Sequence, residues 1–219
     1  MKGAPMIVVC RSPKGGSGAT ITSAALAMML AAQHRGGGYI VDLAGELAPA
    51  LGIPDPPDTK PVDVNASLKL LSFAPRELRT PVEHNWKEVA NQLLAYDAPV
   101  VIDAGTTEIN EHLSQIVDRT FLVVRPCYLA LRKASNKMSH GYLRCEGLIV
   151  LEEAGRALTP TDISTVLKTP IVATIKVDSS ISRAVDAGLL SSRIPALLNE
   201  GLSGLVDALS LPPQQKSVL

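Results

Sequence analysis

The chain has 219 residues, of which 46% are hydrophobic and 19% charged; this balance excludes disorder and suits one folded unit with a sizeable core. Lys plus Arg equals Asp plus Glu at 21 each, so no global field draws the protein to nucleic acid or anionic lipid, and 3% aromatics leave little for base- or sugar-stacking platforms. No apolar run reaches the roughly 18 residues that span a bilayer, and the first such run is too short for a signal-peptide core. Cys10, Cys127 and Cys145 have neither disulfide nor metal-ligand spacing, so reduced thiols in a cytoplasmic protein are expected.

Residues 6–10 (Met-Ile-Val-Val-Cys) form a continuous apolar run, the pattern of a strand buried on both faces. A glycine-rich stretch follows, and then residues 19–33, rich in Ala, Leu and Met without internal Gly or Pro, read as a helix ended by Gly36-Gly37-Gly38. Residues 39–43 are a second buried strand with Asp42 near its C-terminal end, and the four prolines of residues 54–61 mark a surface loop. Residues 62–82 have no clear period; within them 68–73 fit a strand or the end of a short helix. Trp86, Val89, Ala90, Leu93 and Leu94 give residues 83–96 a helical spacing. Residues 100–103 are a buried strand ending in Asp103, 109–117 a helix, 120–125 a strand stopped by Pro126, and 129–138 a helix. Strands are expected at 147–151 and 171–177, and helices at 181–189 and 202–209. Between the two strands, residues 160–167 form a helix capped by Thr159 with Pro160 in its first position. This alternation predicts an α/β fold: a single-domain, mostly parallel β-sheet flanked by helices on both faces. The domain is expected over residues 1–211, with 212–219 as a flexible tail.

Ligands of such sheets bind at the C-terminal edges of the strands, where the loop after Cys10, Asp42 and Asp103 converge. Gly15, Gly16 and Gly18 let the backbone turn tightly and aim several N–H groups, those of Ser17 and Ala19 included, at one anion, while the following helix adds its partial positive end. Thr20 sits where a hydroxyl holds Mg²⁺, and Asp103 is placed to hold that ion through water. Asp42 is a candidate either for orienting an attacking water or for the ion's outer shell. Against these readings, a glycine cluster also serves as a plain tight turn, and a lone strand-end acid as a cap.

Lys14-Gly15-Gly16-Ser17-Gly18-Ala19-Thr20 resembles the deviant P-loop of the ParA/MinD family of partition and positioning ATPases, whose pattern is K-G-G-x-G-K-[ST]. Residues 39–43 resemble that family's second strand with its acid, residues 97–103 its Walker B strand, and residues 118–126 the strand that follows. Residues 170–175 and 183–188 are similar to the late segment that enters the nucleotide pocket, so the likeness covers nearly the whole chain, and within the family it is greatest to the TadZ/CpaE-like branch. The resemblance implies a SIMIBI-type P-loop NTPase fold, ATP and Mg²⁺ as cofactors, and a homodimer in which Lys14 reaches the partner's phosphates. It assigns catalytic roles to Lys14 and Asp42, phosphate binding to the loop through Thr20, and the metal to Thr20 and Asp103.

Three departures set this chain apart. Ala19 stands where the family has the lysine of the phosphate chain, a charge-assisted contact worth about 1.5–3 kcal/mol. Pro13 replaces the loop's first glycine and removes one donor. Glu152-Glu153 follow a strand whose end in relatives commonly presents an adenine-reading Asn; an acid there could still accept from the adenine amino group. The expected protein is therefore a nucleotide-responsive positioning or assembly factor with weak ATP binding and slow or no hydrolysis, at most a weak ATPase. The alternatives are a nucleotide-free scaffold and a DNA-partition ATPase.

The family's members attach to large surfaces or to protein partners in polar assemblies. Residues 199–211 carry Glu200 and Asp207 and are interrupted by Gly201 and Gly204, so they make a poor anionic-lipid anchor and read as a helix packed on the domain's own core. Arg125, Arg132, Lys133 and Lys137 are the best candidate for a DNA track and read more simply as a solvated face.

Overall fold

The computed structural model describes residues 5–74 and 84–210. Its strands are β1 (Ile7–Arg11), β2 (Gly38–Asp42), β3 (Val62–Asp63), β4 (Leu68–Ser72), β5 (Val100–Gly105), β6 (Arg119–Val124), β7 (Gly147–Glu153) and β8 (Ile171–Val177). They form one sheet in the order β3-β4-β2-β5-β1-β6-β7-β8, parallel throughout except for the short edge pair of β3 with β4. The helices are α1 (Ala19–Gln33), α2 (Leu47–Leu51), α3 (Trp86–Leu94), α4 (Glu111–Ser114), α5 (Tyr128–Ser139), α6 (Pro160–Leu167), α7 (Ser179–Asp186) and α8 (Ala196–Ser210).

The two-residue period of the strands divides their apolar side chains between two layers. Val8 and Cys10 of β1, Ile40 of β2, Val123 of β6 and Ile149 of β7 face the layer built by α1 and α8. Their neighbours Ile7, Val9 and Val41 face the opposite layer, with Val89 and Leu93 of α3. Leu122, Val124 and Val150 face the same opposite side, where Ala134 and Ile163 of α5 and α6 cover them. Both faces are covered, which explains why these strands read as unbroken apolar runs. The expected α/β architecture is the observed one.

Several elements differ from their sequence reading. Residues 68–73 resolve to the strand β4, held in register beside β2. The helix expected over residues 109–117 shortens to α4: the Asn110 side chain caps it by accepting from His112 N, while Ile109, Ile116 and Val117 reach the core from loop positions. The five-residue α2 was not foreseen, because Pro49 sits inside it; Leu47 and Leu51 bury completely and fix it against α1. Helix α8 starts earlier than expected and runs unbroken through both glycines. A Cβ on Gly201 would lie 2.7 Å from the Thr174 carbonyl oxygen, so the missing side chain is what lets α8 press against β8. Leu198, Leu202, Leu205, Val206 and Leu209 bury against the core, which accounts for the apolar face of this helix. The expected tail at residues 212–219 lies outside the described residues, as do residues 75–82 at the end of the 62–82 stretch.

Candidate functional site

Strands β5 and β6 flank β1, so the C-terminal ends of all three meet around the loop that leads into α1. Ser12 N donates to the Gly105 carbonyl over 2.7 Å and ties the loop to the end of β5. The hydroxyls of Ser12 and Ser17 both donate to the Lys14 carbonyl, at 3.1 and 2.9 Å, and brace the turn from inside. Gly16 and Gly18 adopt positive φ of 73° and 84°, a conformation that costs a residue with a Cβ about 1–2 kcal/mol. Gly18 is the N-cap of α1 and offers no side chain to the helix's first amides, and the first turn contains no acid. These free N–H groups and the helix dipole make an anion site. The loop is therefore formed before any ligand arrives.

The cleft over this loop has a volume of about 600 Å³. Gly15 through Thr20 form its floor, Ala44 and Glu46 lie on the β2 side, Gly105 and Thr107 follow β5, and Arg125 stands at the end of β6. All six expected loop residues, Gly15, Gly16, Ser17, Gly18, Thr20 and the buried Ala19, thus line one cavity. Lys14 is not among the lining residues; its Nζ folds back and donates to the Gly15 carbonyl over 2.9 Å on the exposed side of the loop.

Asp103 lies within β5, which runs two residues past the expected end to Gly105, and its fully buried side chain faces α1. Its Oδ1 accepts from Ser23 Oγ at 3.3 Å and from Gly105 N at 3.2 Å, while its Oδ2 is buried without a partner. Burial pushes the carboxyl up to about 6; the nearby Thr20 hydroxyl offsets part of that push without reaching normal hydrogen-bond geometry, and the Asp42 charge adds to it. An orphaned buried carboxylate oxygen beside a threonine hydroxyl suits a hard cation such as Mg²⁺. Among the described residues no group of three or more His, Cys, Asp or Glu side chains is placed to hold a metal, so water and a ligand's own oxygens would have to complete such a shell.

Asp42 is satisfied differently. Its Oδ1 accepts from Ala44 N at 3.0 Å and Gly45 N at 2.7 Å, and its Oδ2 from Leu47 N at 3.1 Å. Burial still raises its pKa above the ordinary value, against the lowering by these amides. In this arrangement Asp42 fastens the β2–α2 loop, which forms one wall of the cleft.

Two readings from sequence need correction. Arg125 does not belong with Arg132, Lys133 and Lys137: its Nη1 donates to Glu153 Oε1 over 2.6 Å and the residue lines the cleft, whereas Arg132 and Lys133 are exposed on α5. Glu153 is likewise not free to accept from a base, because its second oxygen takes Arg156 Nε at 2.6 Å. Ser23 and Arg125 were the residues that sequence reasoning missed. The order of the sheet identifies Arg125, since a residue just past β6 must stand beside the end of β1.

No protein-family model matches the chain, and no curated protein does. Solved structures do. A ParA family ATPase from Chlorobium tepidum TLS superposes with a TM-score of 0.76 at 19% identity, over 94% of this chain and 99% of that one. The septum site-determining protein MinD of Pyrococcus horikoshii OT3, complexed with Mg-ADP, gives 0.73 at 18% identity over 94% and 96%. A MinC:MinD cell division complex from Aquifex aeolicus gives 0.69 at 20% identity over 96% and 98%. At these identities the likeness is one of fold. The mostly parallel sheet, the glycine loop ahead of α1 and the helices on both faces make this a SIMIBI-type P-loop NTPase fold.

Proposed function

We propose that the chain is a ParA/MinD-type protein of the TadZ/CpaE-like branch, a nucleotide-responsive positioning or assembly factor that binds ATP weakly and hydrolyses it slowly or not at all. The observation that carries this reading is the preformed loop: Gly18 opens α1 with uncapped amides, next to Thr20 and the orphaned Oδ2 of Asp103. Support at the level of fold comes from the P. horikoshii MinD structure, which holds Mg-ADP. In this reading the loop amides of Gly15 through Thr20 hold the phosphate chain, and the α1 dipole favours its charge. Thr20 and Asp103 hold Mg²⁺, which when bound neutralises phosphate oxygens. Asp42 keeps the β2–α2 wall closed against water.

Weak turnover follows from Ala19, a buried methyl group in the first turn of α1 where a cation would serve the transition state. Lys14, on the outer side of the loop, is the residue of this surface free to reach a second copy, and dimerisation would exchange its bond to Gly15 for a phosphate across the interface. Cytoplasmic location and a protein partner in a polar or assembly complex complete the proposal; the A. aeolicus MinD in complex with MinC is a fold relative that has such a partner. Among the described residues no helix is long and apolar enough to cross a membrane.

Calorimetric titration with ATP and Mg²⁺ tests the reading. Saturable binding, together with nucleotide-dependent dimerisation, is expected. No saturation at millimolar nucleotide would leave a scaffold that keeps only the fold.

A further inference from the structure

We propose that Arg125 supplies the cation that the loop lost at Ala19, so that the phosphate chain is read from the end of β6 rather than from the first turn of α1. The inference rests on the nucleotide reading above and adds to it the residue that recognises phosphate charge. Among the described residues, Arg125 is the one Lys, Arg or His that lines the cleft. Without it the cavity holds backbone amides, small side chains and a single acid, Glu46, a poor match for a polyanion.

Arg125 is also held as a binding residue would be. Its side chain is one-third exposed, and Glu153, only 17% exposed, takes its Nη1. Arg156 engages the same carboxylate through both Nε and Nη2, so Glu153 is itself fixed. Pro126 follows immediately and biases Arg125 toward extended backbone. Meanwhile Nε–H of Arg125 is buried and has no acceptor. A buried unpaired donor on a charged group is costly, and a shift of the side chain toward a phosphate oxygen in the cleft would expose and satisfy it. Guanidinium suits that task, because its planar fork binds phosphate through two N–H groups at once. A second orphaned atom, Asp103 Oδ2, lies buried behind Thr20 and Gly105 of the cleft wall rather than in the lining, so it would reach the cation that accompanies the anion only through water.

The test compares wild type, Arg125→Ala, Arg125→Lys and the double variant Arg125→Ala/Ala19→Lys by calorimetry with ATP and, separately, inorganic tripolyphosphate, both with Mg²⁺. Arg125→Ala is expected to weaken both ligands ten- to hundredfold, with Arg125→Lys in between. The double variant should return to within a few fold of wild type, since the charge is restored from the family's usual position. Thermal melts identify a variant that fails to fold; Arg125→Gln, which keeps most of the stem, then replaces Arg125→Ala. Equal affinity of wild type and Arg125→Ala overturns this inference alone. So does a loss for ATP without a loss for tripolyphosphate, which would mean that Arg125 reads the nucleoside, and so does a loss that Ala19→Lys does not repair. Absence of saturable binding to wild type overturns the nucleotide reading with it.

Discussion

Asp42 and Asp103 stand opposite each other in the parallel register of β2 and β5, side by side on the face covered by α1. Asp42 accepts three backbone amides, while Asp103 keeps one oxygen buried and unpaired. The same residue type at paired positions of neighbouring strands therefore does two jobs: one closes a loop, and the other stays charged at a cost to the ligand-free fold.

That cost has a sign and a pH window. The Asp103 carboxyl moves from its ordinary 3.8 to about 6 in the folded chain. Between those values the folded state binds a proton that the unfolded chain has released, so stability falls as pH rises. The protonated form's contribution is fully present below pH 3.8 and lost above about 6, a difference of about 3 kcal/mol. Asp103→Asn keeps an acceptor for Ser23 and Gly105 without the buried charge. Urea unfolding at pH 7.5 should find this variant about 2–3 kcal/mol more stable than wild type, with the two converging near pH 4. Magnesium-dependent nucleotide binding should be lost in the same variant. A less stable Asp103→Asn at pH 7.5 would mean that the carboxylate is satisfied after all.

Asp42→Ala should act in the opposite direction. It strands the buried amide of Leu47, which costs about 1–3 kcal/mol, and frees those of the half-buried Ala44 and the exposed Gly45, which water can take up. Relief of the desolvated charge returns part of this, so a net loss of about 1–2 kcal/mol is expected. Hydrogen exchange is the sharper readout: those three amides should lose protection in the absence of any nucleotide. Unchanged exchange there, with nucleotide hydrolysis alone impaired, would return Asp42 to a purely catalytic role.

Helix α8 offers a paired test within one element. Gly201→Ala puts a Cβ 2.7 Å from the Thr174 carbonyl oxygen and 2.9 Å from Ile175 Cγ1, while a Cβ on Gly204 meets nothing within 4 Å. Gly204→Ala should therefore stabilise by about 0.5–1 kcal/mol through helix propensity. Gly201→Ala should destabilise by about 1–3 kcal/mol, because the helix must move off β8. Thermal melts of the two variants shifting in the same direction would contradict this packing.

What was legible in the sequence was what is local. The α/β alternation, the loop ahead of α1 with Gly18 at its close, and the acids of β2 and β5 all declare themselves within a few residues, though β5 runs two residues past Asp103. Thr159 caps α6 with Pro160 in its first turn, as expected, and Asp162 adds the reciprocal bond that the sequence reading had not named. What escaped depends on partners distant in the chain. Arg125, at the end of its strand, looked like part of a solvated basic cluster; its role depends on β6 lying beside β1 and on its guanidinium meeting Glu153, 28 residues away. Ser23 reads as an ordinary polar residue in an Ala-rich helix, and only the sheet brings Asp103 to it from 80 residues on. Gly201 looked like a helix breaker because its reason, the Thr174 carbonyl, lies on another element.

Lys14 tests whether the loop face is a dimer surface. Within one chain its ammonium does no more than bond to the Gly15 carbonyl on the exposed side of the loop, so removing it should change monomer stability by less than about 0.5 kcal/mol. Its worth would appear only when a second copy brings phosphate within reach. Lys14→Ala is accordingly expected to melt like wild type and to bind ATP within about threefold as a monomer, since the proposed contact to a second copy is absent there. In light scattering with ATP and Mg²⁺ it should stay monomeric where wild type dimerises. A variant that dimerises as readily as wild type would show that this lysine is a solvated loop residue. The assembly surface would then have to be sought elsewhere, beginning with the exposed Tyr128 and Leu129 at the start of α5.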